Sequence, residues 1–412
     1  MAGIANFIAD RIAMNRQRSF SRFIIRLSVA ATIISVAVMI LTVSLANGFQ
    51  NAITDKIFNF WGHIRIQEKQ PGKTIIAEEW PIDKNDTVEK LVLQQTNVKS
   101  IAPFATRYAL LKSKEGMEGL MVKGLDKNYD FNRLAPFLKK GNSINFPDSS
   151  FSRQIWVSTY TADRMQLNVG DSLLLYFIHP NEQPRPKKIS IAGLYKTGIE
   201  EYDHLFAIAD IRLIQQLNNW NPNQMGGYEV FLKDPANIDN NASSLFNEDQ
   251  FPGNLDAVSI KQVMPQIFDW LQMLDLNRYV LLGFMIIVAL INLITALLIL
   301  VLERVRMIGV LKSLGATDWT VQKIFLRQSL IIMGIGISIG TALAVSILWI
   351  QEKTGFIKLN EDAYFLDKAA VKIVGWQVLA IDLGTLAICL LVLLIPSWLV
   401  RKIQPAKAIQ FR

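Results

Sequence analysis

The chain has 412 residues, of which 51% are hydrophobic and 19% charged, and its mean hydropathy is +0.25. That is too apolar for an ordinary water-soluble protein, and the excess sits in four blocks near the two ends, so the class is a membrane protein. The formal charge of +8 does not call for a nucleic acid, because much of the basic excess flanks the apolar blocks, where topology accounts for it.

Taken in chain order, residues 1–26 read as a basic amphipathic segment and 27–48 as a first span, built on the apolar block Leu27–Asn47. No cleavable signal peptide is expected: a long basic segment precedes the block, and no small-residue cleavage pattern follows it. A polar stretch, 49–277, comes next. The remaining spans are 278–302, 329–350 and 376–400, separated by a basic segment at 303–328 and a short loop at 351–375, with a tail at 401–412. At about 1.5 Å per residue each span reaches roughly 30 Å, enough for a hydrocarbon core.

Orientation follows from the cations. Arg11, Arg16, Arg18, Arg22 and Arg26 precede the first span, Arg304, Arg306, Lys312, Lys323 and Arg327 lie between the second and third, and Arg401, Lys402, Lys407 and Arg412 follow the fourth. The loop at 351–375 is balanced in charge. Both termini and 303–328 are therefore expected in the cytoplasm, with 49–277 and 351–375 outside it. The single cysteine, Cys389, lies in the last block and cannot form an intrachain disulfide. Asp382, six residues after Trp376, is expected to reach the headgroups rather than mark an ion pathway.

The 49–277 stretch alternates short β-rich runs (His63–Gln67, Leu120–Leu125, Gln154–Ser158, Ser172–Phe177, Lys188–Tyr195, Glu229–Leu232) with helical ones (Thr87–Gln95, Asp210–Leu217). Turn residues punctuate them, which predicts an α+β domain outside the cytoplasm. Phe49–Trp61 and Gln262–Asn277 continue the first two spans as amphipathic helices, which predicts helical stalks.

Several fragments imitate catalytic motifs without their context. Gly72-Lys73-Thr74 resembles the end of a phosphate-binding loop, but position 67, where that loop needs glycine, is Gln67. Gly336-Ile337-Ser338-Ile339-Gly340 matches a nucleophile elbow, yet it lies inside an apolar helix with no turn. It reads better as a small-residue face for close helix packing. His63, His179 and His204 lack metal-ligand spacing. No catalytic residue, metal or cofactor is expected on this chain.

The most informative stretch is Glu303-Arg304-Val305-Arg306-Met307-Ile308-Gly309-Val310-Leu311-Lys312-Ser313-Leu314-Gly315-Ala316-Thr317. Met307, Ile308, Leu311 and Leu314 share one helix face. Gly315 is placed to end that helix, and Thr317 or Asp318 to cap the next. This segment resembles the coupling region of the FtsX/MacB superfamily of ABC transporter permeases, which shares the arrangement of one span before the large domain and three after it. Where that family usually has an acidic residue before Ile-Gly, this chain has Met307. The resemblance implies that Glu303, Arg304, Met307, Ile308, Leu311, Leu314 and Gly315 form a coupling helix that docks on a cytoplasmic ATPase dimer, which binds the ATP and magnesium.

Within the superfamily the chain is similar to the lipoprotein-releasing permeases of the Lol type. The similarity runs through Phe7-Ile8-Ala9-Asp10-Arg11, Asn47-Gly48-Phe49, the run Ile191–Asp203, Pro396-Ser397-Trp398 and Gln404-Pro405-Ala406-Lys407-Ala408. It implies extraction of lipoproteins from the bacterial inner membrane and transfer to a periplasmic carrier, with a second permease copy or paralogue in the complex. It also implies an acyl-chain cavity at Leu41, Leu45, Ala46 and Phe49 of span one of one copy and Leu282, Met285 and Ile286 of span two of the other. A carrier-docking loop is implied between Phe177 and Lys188, at Ile178, His179, Pro180, Pro184, Arg185 and Pro186. Two alternatives stay open. One is a MacB-like efflux permease, whose ATPase ordinarily precedes the first span on the same chain. The other is an FtsX-like signal transmitter controlling cell-wall hydrolases, whose extracytoplasmic domain is typically much smaller.

Overall fold

The computed structural model describes residues 20–69, 80–114, 116–148, 150–177, 186–246, 248 and 250–397. The motif at Phe7–Arg11, the Gly72-Lys73-Thr74 fragment, Trp398 and the tail motif at Gln404–Ala408 lie outside the described residues. The chain divides into two units: Met1–Gln50, Leu271–Lys358 and Lys368–Arg412 form one, and Asn51–Trp270 with Leu359–Asp367 the other.

The first unit is helical, because a long run without polar side chains can satisfy its backbone in lipid only by internal hydrogen bonds. Four long helices, Phe20–Trp61, Pro265–Glu303, Asp318–Thr354 and Gly375–Ser397, contain stretches long and apolar enough to cross a membrane. They contribute to one buried cluster: Val36, Met39 and Ile40 from the first, Leu293, Leu297 and Val301 from the second, Ile332 and Met333 from the third, and Cys389 from the fourth. A Cβ on Gly336 would fall 2.7 Å from Thr32 Cβ, and one on Gly340 would fall 2.8 Å from the Ile33 carbonyl. The small-residue pattern thus brings the first and third helices into backbone contact.

Polar side chains inside this unit bind one another. Asn47 donates to Gln377 Oε1 at 2.5 Å and accepts from Arg278 at 2.8 Å, which joins three helices. Arg278 also pairs with Asp275 at 2.8 Å. Asp382 accepts the Thr341 hydroxyl at 2.9 and 3.0 Å. This contact ties the fourth helix to the third.

The segment between the third and fourth helices is more than a loop. Gln351, 2% exposed, accepts from the Ile357 N–H and donates to the Ala369 carbonyl at 2.9 Å. These bonds pin the base of a small hairpin bridged at Lys358 and Lys368. Its central residues, Leu359–Asp367, contain the short helix Glu361–Tyr364 and belong to the second unit.

The second unit is α+β. Its strands are β1 Ile64–Glu68, β2 Ile82–Asp83, β3 Val98–Lys112, β4 Met117–Leu125, β5 Leu138–Gly141, β6 Gln154–Ser158, β7 Ser172–Phe177, β8 Lys187–Tyr195, β9 Phe206–Asp210, β10 Gln224–Met225, β11 Gly227–Leu232 and β12 Leu255–Ser259. Ten of them make one mixed sheet in the order β12-β1-β11-β3-β4-β9-β6-β8-β5, with β7 pairing both β3 and β8. That double pairing closes β3, β4, β9, β6, β8 and β7 into a ring, which removes edges that open sheets must protect. Pairs β4–β9 and β6–β8 are parallel. Phe60 and Trp61, at the end of the first long helix, are buried in this unit. Phe60 stacks on Tyr202 at 5.1 Å and Trp61 meets Phe206 edge-on at 4.9 Å. Each such ring contributes about 2 kcal/mol from burial.

Candidate functional site

The segment between the second and third long helices folds as a helix, Val305–Ser313, closed by Gly315 in the left-handed region at φ +90°. Only glycine adopts that conformation without strain, and it lets the Ala316 N–H reach the Leu311 carbonyl at 2.9 Å and the Gly315 N–H reach Lys312 at 3.0 Å. Thr317 then caps the third long helix by accepting from the Thr320 N–H. Lys312 pairs with Asp318 across the turn at 2.9 Å. The turn is thus tied on both sides.

The apolar face of this helix is split. Ile308 is fully buried, in the same cluster as Val321 and Phe325, and Met307 packs half-buried against that cluster. The Ile308 side chain anchors the short helix to its own bundle. Leu314 is 79% exposed, with Val310 at 45% and Trp319 at 51% beside it in the sequence. Leu311 and Arg304 are half-buried and Glu303 is exposed. Val310 and Trp319 were not singled out from the sequence, although Val310 lies one turn before Leu314 and shares its side of the helix.

The residues assigned to an acyl-chain cavity fall in the helical unit. Leu41, Leu45, Leu282, Met285 and Ile286 all pack partly buried against the same helical cluster, and Ala46 and Phe49 are partly buried as well. A different stripe of the second long helix is more open: Leu281, Phe284, Val288 and Ile291 are 48–60% exposed. The helix is apolar on all sides, so sequence periodicity gives no contrast between these faces.

Of the proposed carrier loop, Ile178, His179, Pro180, Pro184 and Arg185 lie outside the described residues; Pro186 is described, at the entry to β8. The other two histidines have structural surroundings. The His63 ring lies 4.3 Å from Phe58, and its Nδ1 accepts the Leu232 N–H at 3.1 Å. Burial, reinforced by Arg133, pushes its pKa down to about 4. His204 stacks on Tyr160 at 3.5 Å. A cavity of about 370 Å³ lies among Lys84, Glu89, Asp126, Arg212 and Tyr228. Its charged walls are already engaged, Arg212 with Asp210 at 2.8 Å and Lys84 with Glu89 at 3.7 Å.

Two family models match the chain. The MacB-like periplasmic core domain matches residues 27–245, more than half of the chain. The FtsX-like permease C-terminal domain matches residues 279–405. Among curated proteins, the lipoprotein-releasing system transmembrane protein LolC of Neisseria meningitidis is 25% identical, covering 96% of each chain. The lipoprotein-releasing system transmembrane protein LolE of Haemophilus influenzae is 22% identical, covering 98% of each. Among solved structures, the periplasmic region of MacB from Actinobacillus actinomycetemcomitans aligns at a TM-score of 0.34 and 13% identity, over 49% of this chain and 92% of that one.

Proposed function

The chain belongs to the permease family in which a MacB-like periplasmic core domain is joined to an FtsX-like C-terminal domain, and from that premise we propose that it is the membrane subunit of an ABC transporter that releases lipoproteins. The observation that carries this reading is similarity over 96–98% of both chains to transmembrane proteins of lipoprotein-releasing systems. Both the helical part and the large domain take part in that match, so the large domain is part of the likeness.

In this reading the spans stand as one before the large domain and three after it. Both termini and the 303–328 segment face the cytoplasm of the bacterial inner membrane, and the sheet unit lies in the periplasm. ATP is hydrolysed by a separate ATPase dimer, which holds the nucleotide and magnesium. The short helix Val305–Ser313 is its docking element, with Leu314 and Val310 as the apolar contact and Ile308 as the anchor beneath. The turn at Gly315 is tied by backbone bonds and by Lys312–Asp318, so a push on the helix is passed to the third long helix with little slack.

An acylated substrate needs an apolar surface that competes with the bilayer, because each buried CH₂ contributes about 0.8 kcal/mol to membrane affinity. Leu41, Leu45, Ala46, Phe49, Leu282, Met285 and Ile286 supply such a surface, completed by a second permease copy or a paralogue. The extracted lipoprotein passes to a periplasmic carrier recruited by the loop at 178–186. The test is a photocrosslinker placed at Leu45, Phe49 and Met285 in turn. Capture of a lipidated protein at one or more of these positions, fading when ATP is supplied, supports the reading. Crosslinks only to phospholipid or to a neighbouring helix at all three positions contradict it.

A further inference from the structure

The run Lys196–Asp203 is left unexplained by the coupling helix and the acyl-chain surface, yet it builds a specific site inside the sheet unit. Asp203 is 4% exposed, and its carboxylate accepts the Thr197 N–H at 2.8 Å, the Gly198 N–H at 3.0 Å and the Thr197 hydroxyl at 2.9 Å. These bonds fold residues 197–199 into a tight turn in which Gly198 takes φ +75°. The bare backbone of Gly198 faces the segment Leu359–Asp367: a Cβ there would lie 2.5 Å from Glu361 Oε1 and 2.8 Å from Lys56 Nζ. Two cations complete the contact. Lys196 Nζ is 2.5 Å from Glu361 Oε2, and Lys56 Nζ donates to the Phe365 carbonyl at 2.6 Å.

The held segment is itself constrained. Phe365 sits at φ +58°, a left-handed conformation that is strained for a bulky residue and persists only where its surroundings enforce it. Its ring meets Trp270 edge-on at 5.9 Å. In the chain this segment is carried between the third and fourth apolar helices, yet it belongs with the sheet unit.

We propose that Lys196, Gly198 and Lys56 form a socket that grips the Glu361–Phe365 tip, and that these positioning residues pass movement of the third and fourth helices to the sheet domain during transport. The inference rests on the lipoprotein-release reading above. The ion pair at its centre is 36% and 25% exposed, so solvent screens it and it adds little to stability. A pair that weak is a poor structural brace, but it can define a seat that is held and released.

The test uses the full chain with its ATPase in proteoliposomes loaded with a lipidated protein. Release per ATP hydrolysed is measured alongside hydrogen exchange of residues 359–367. Glu361→Lys is expected to lower release per ATP about tenfold while hydrolysis stays within about twofold, and to speed exchange of the segment. The swap Lys196→Glu with Glu361→Lys is expected to restore both readings. Unchanged exchange in Glu361→Lys overturns the socket, and faster exchange with unchanged release per ATP overturns its positioning role. If the wild type itself releases nothing, the lipoprotein reading fails, and the exchange result alone then decides whether the socket exists.

Discussion

The ammonium of Lys123 lies 2.6 Å from the Glu229 carboxylate, with the two side chains 1% and 0% exposed. Lys123 also donates to the Phe60 carbonyl and lies 4.8 Å from the centre of the Trp61 ring. One buried cation thus joins β4, β11 and the last turn of the first long helix. Taking away one member leaves an unpaired charge in the core, which costs about 3–5 kcal/mol. Lys123→Ala and Glu229→Gln are therefore expected to lower the thermal midpoint of the purified full chain by roughly 10 °C. The double change Lys123→Met with Glu229→Leu is expected to be milder than either. A double variant worse than both singles would show that the pair itself, rather than its desolvation, dominates.

His63 makes the sheet unit sensitive to acid. Its pKa is pushed from 6.5 to about 4 in the folded chain, so between those values the unfolded chain binds more protons, and stability falls as pH drops. The loss builds between pH 6.5 and pH 4 and is at most roughly 3 kcal/mol. Above pH 6.5 the ring is neutral in both states and the effect vanishes. Protonating Nδ1 also removes the acceptor for the Leu232 N–H. His63→Asn, which keeps an acceptor without that titration, is expected to flatten the thermal midpoint across this window. An equally steep profile in the variant would assign the acid sensitivity elsewhere.

The split face of the helix Val305–Ser313, read as the docking element proposed above, predicts two different phenotypes. Leu314 is exposed, so Leu314→Asp is expected to leave folding intact and weaken ATPase co-purification by about tenfold or more, since a charge enters an apolar contact unpaired. Ile308 is buried, so Ile308→Asp is expected to destabilise the helical unit itself, seen as poor recovery from detergent. Equal ATPase recovery with Leu314→Asp and wild type would remove Leu314 from the docking surface.

The first long helix also packs closely against the extended segment that precedes the fourth. A Cβ on Gly48 would fall 2.2 Å from the Ala370 carbonyl and 2.7 Å from the Val371 nitrogen, where the Lys372 N–H meets the Ser44 carbonyl at 3.1 Å. Gly48→Val is expected to cost about 1–3 kcal/mol through overpacking, read as a lower thermal midpoint. Gly283→Ala, with open space around it, serves as the control and is expected to leave the midpoint unchanged.

Much of this could be read from residue pattern alone. The apolar blocks gave the four long helices, and β6 and β7 fall where short β-rich runs placed them. The longest strand, β3, was not legible: Pro103, Thr106 and Arg107 break its alternation, and it forms because β11, β4 and β7 all pair with it. The short strands β5, β9 and β12 owe their existence to sheet neighbours in the same way. The turn at 314–317 was legible because Gly315 and Thr317 announce a cap on each side. The exposed side of that helix was not, since Ile308 and Leu314 are equally apolar and only packing tells the anchor from the open face. The hairpin between the third and fourth helices was hidden for a different reason. Its balanced charges resemble an ordinary loop until Lys196 and Lys56 are brought to it from distant parts of the chain.

On the reading proposed above, this chain moves lipidated protein out of a membrane using a partner's ATP hydrolysis. The most direct measurement reconstitutes it with its ATPase in proteoliposomes carrying a lipidated protein, adds a soluble periplasmic carrier, and follows the lipidated protein into the soluble fraction. Transfer that requires ATP and carrier together, and that stops with Leu314→Asp, is the predicted result. Vigorous ATP hydrolysis with the lipidated protein still bound to the liposomes would rule out lipoprotein release by this chain.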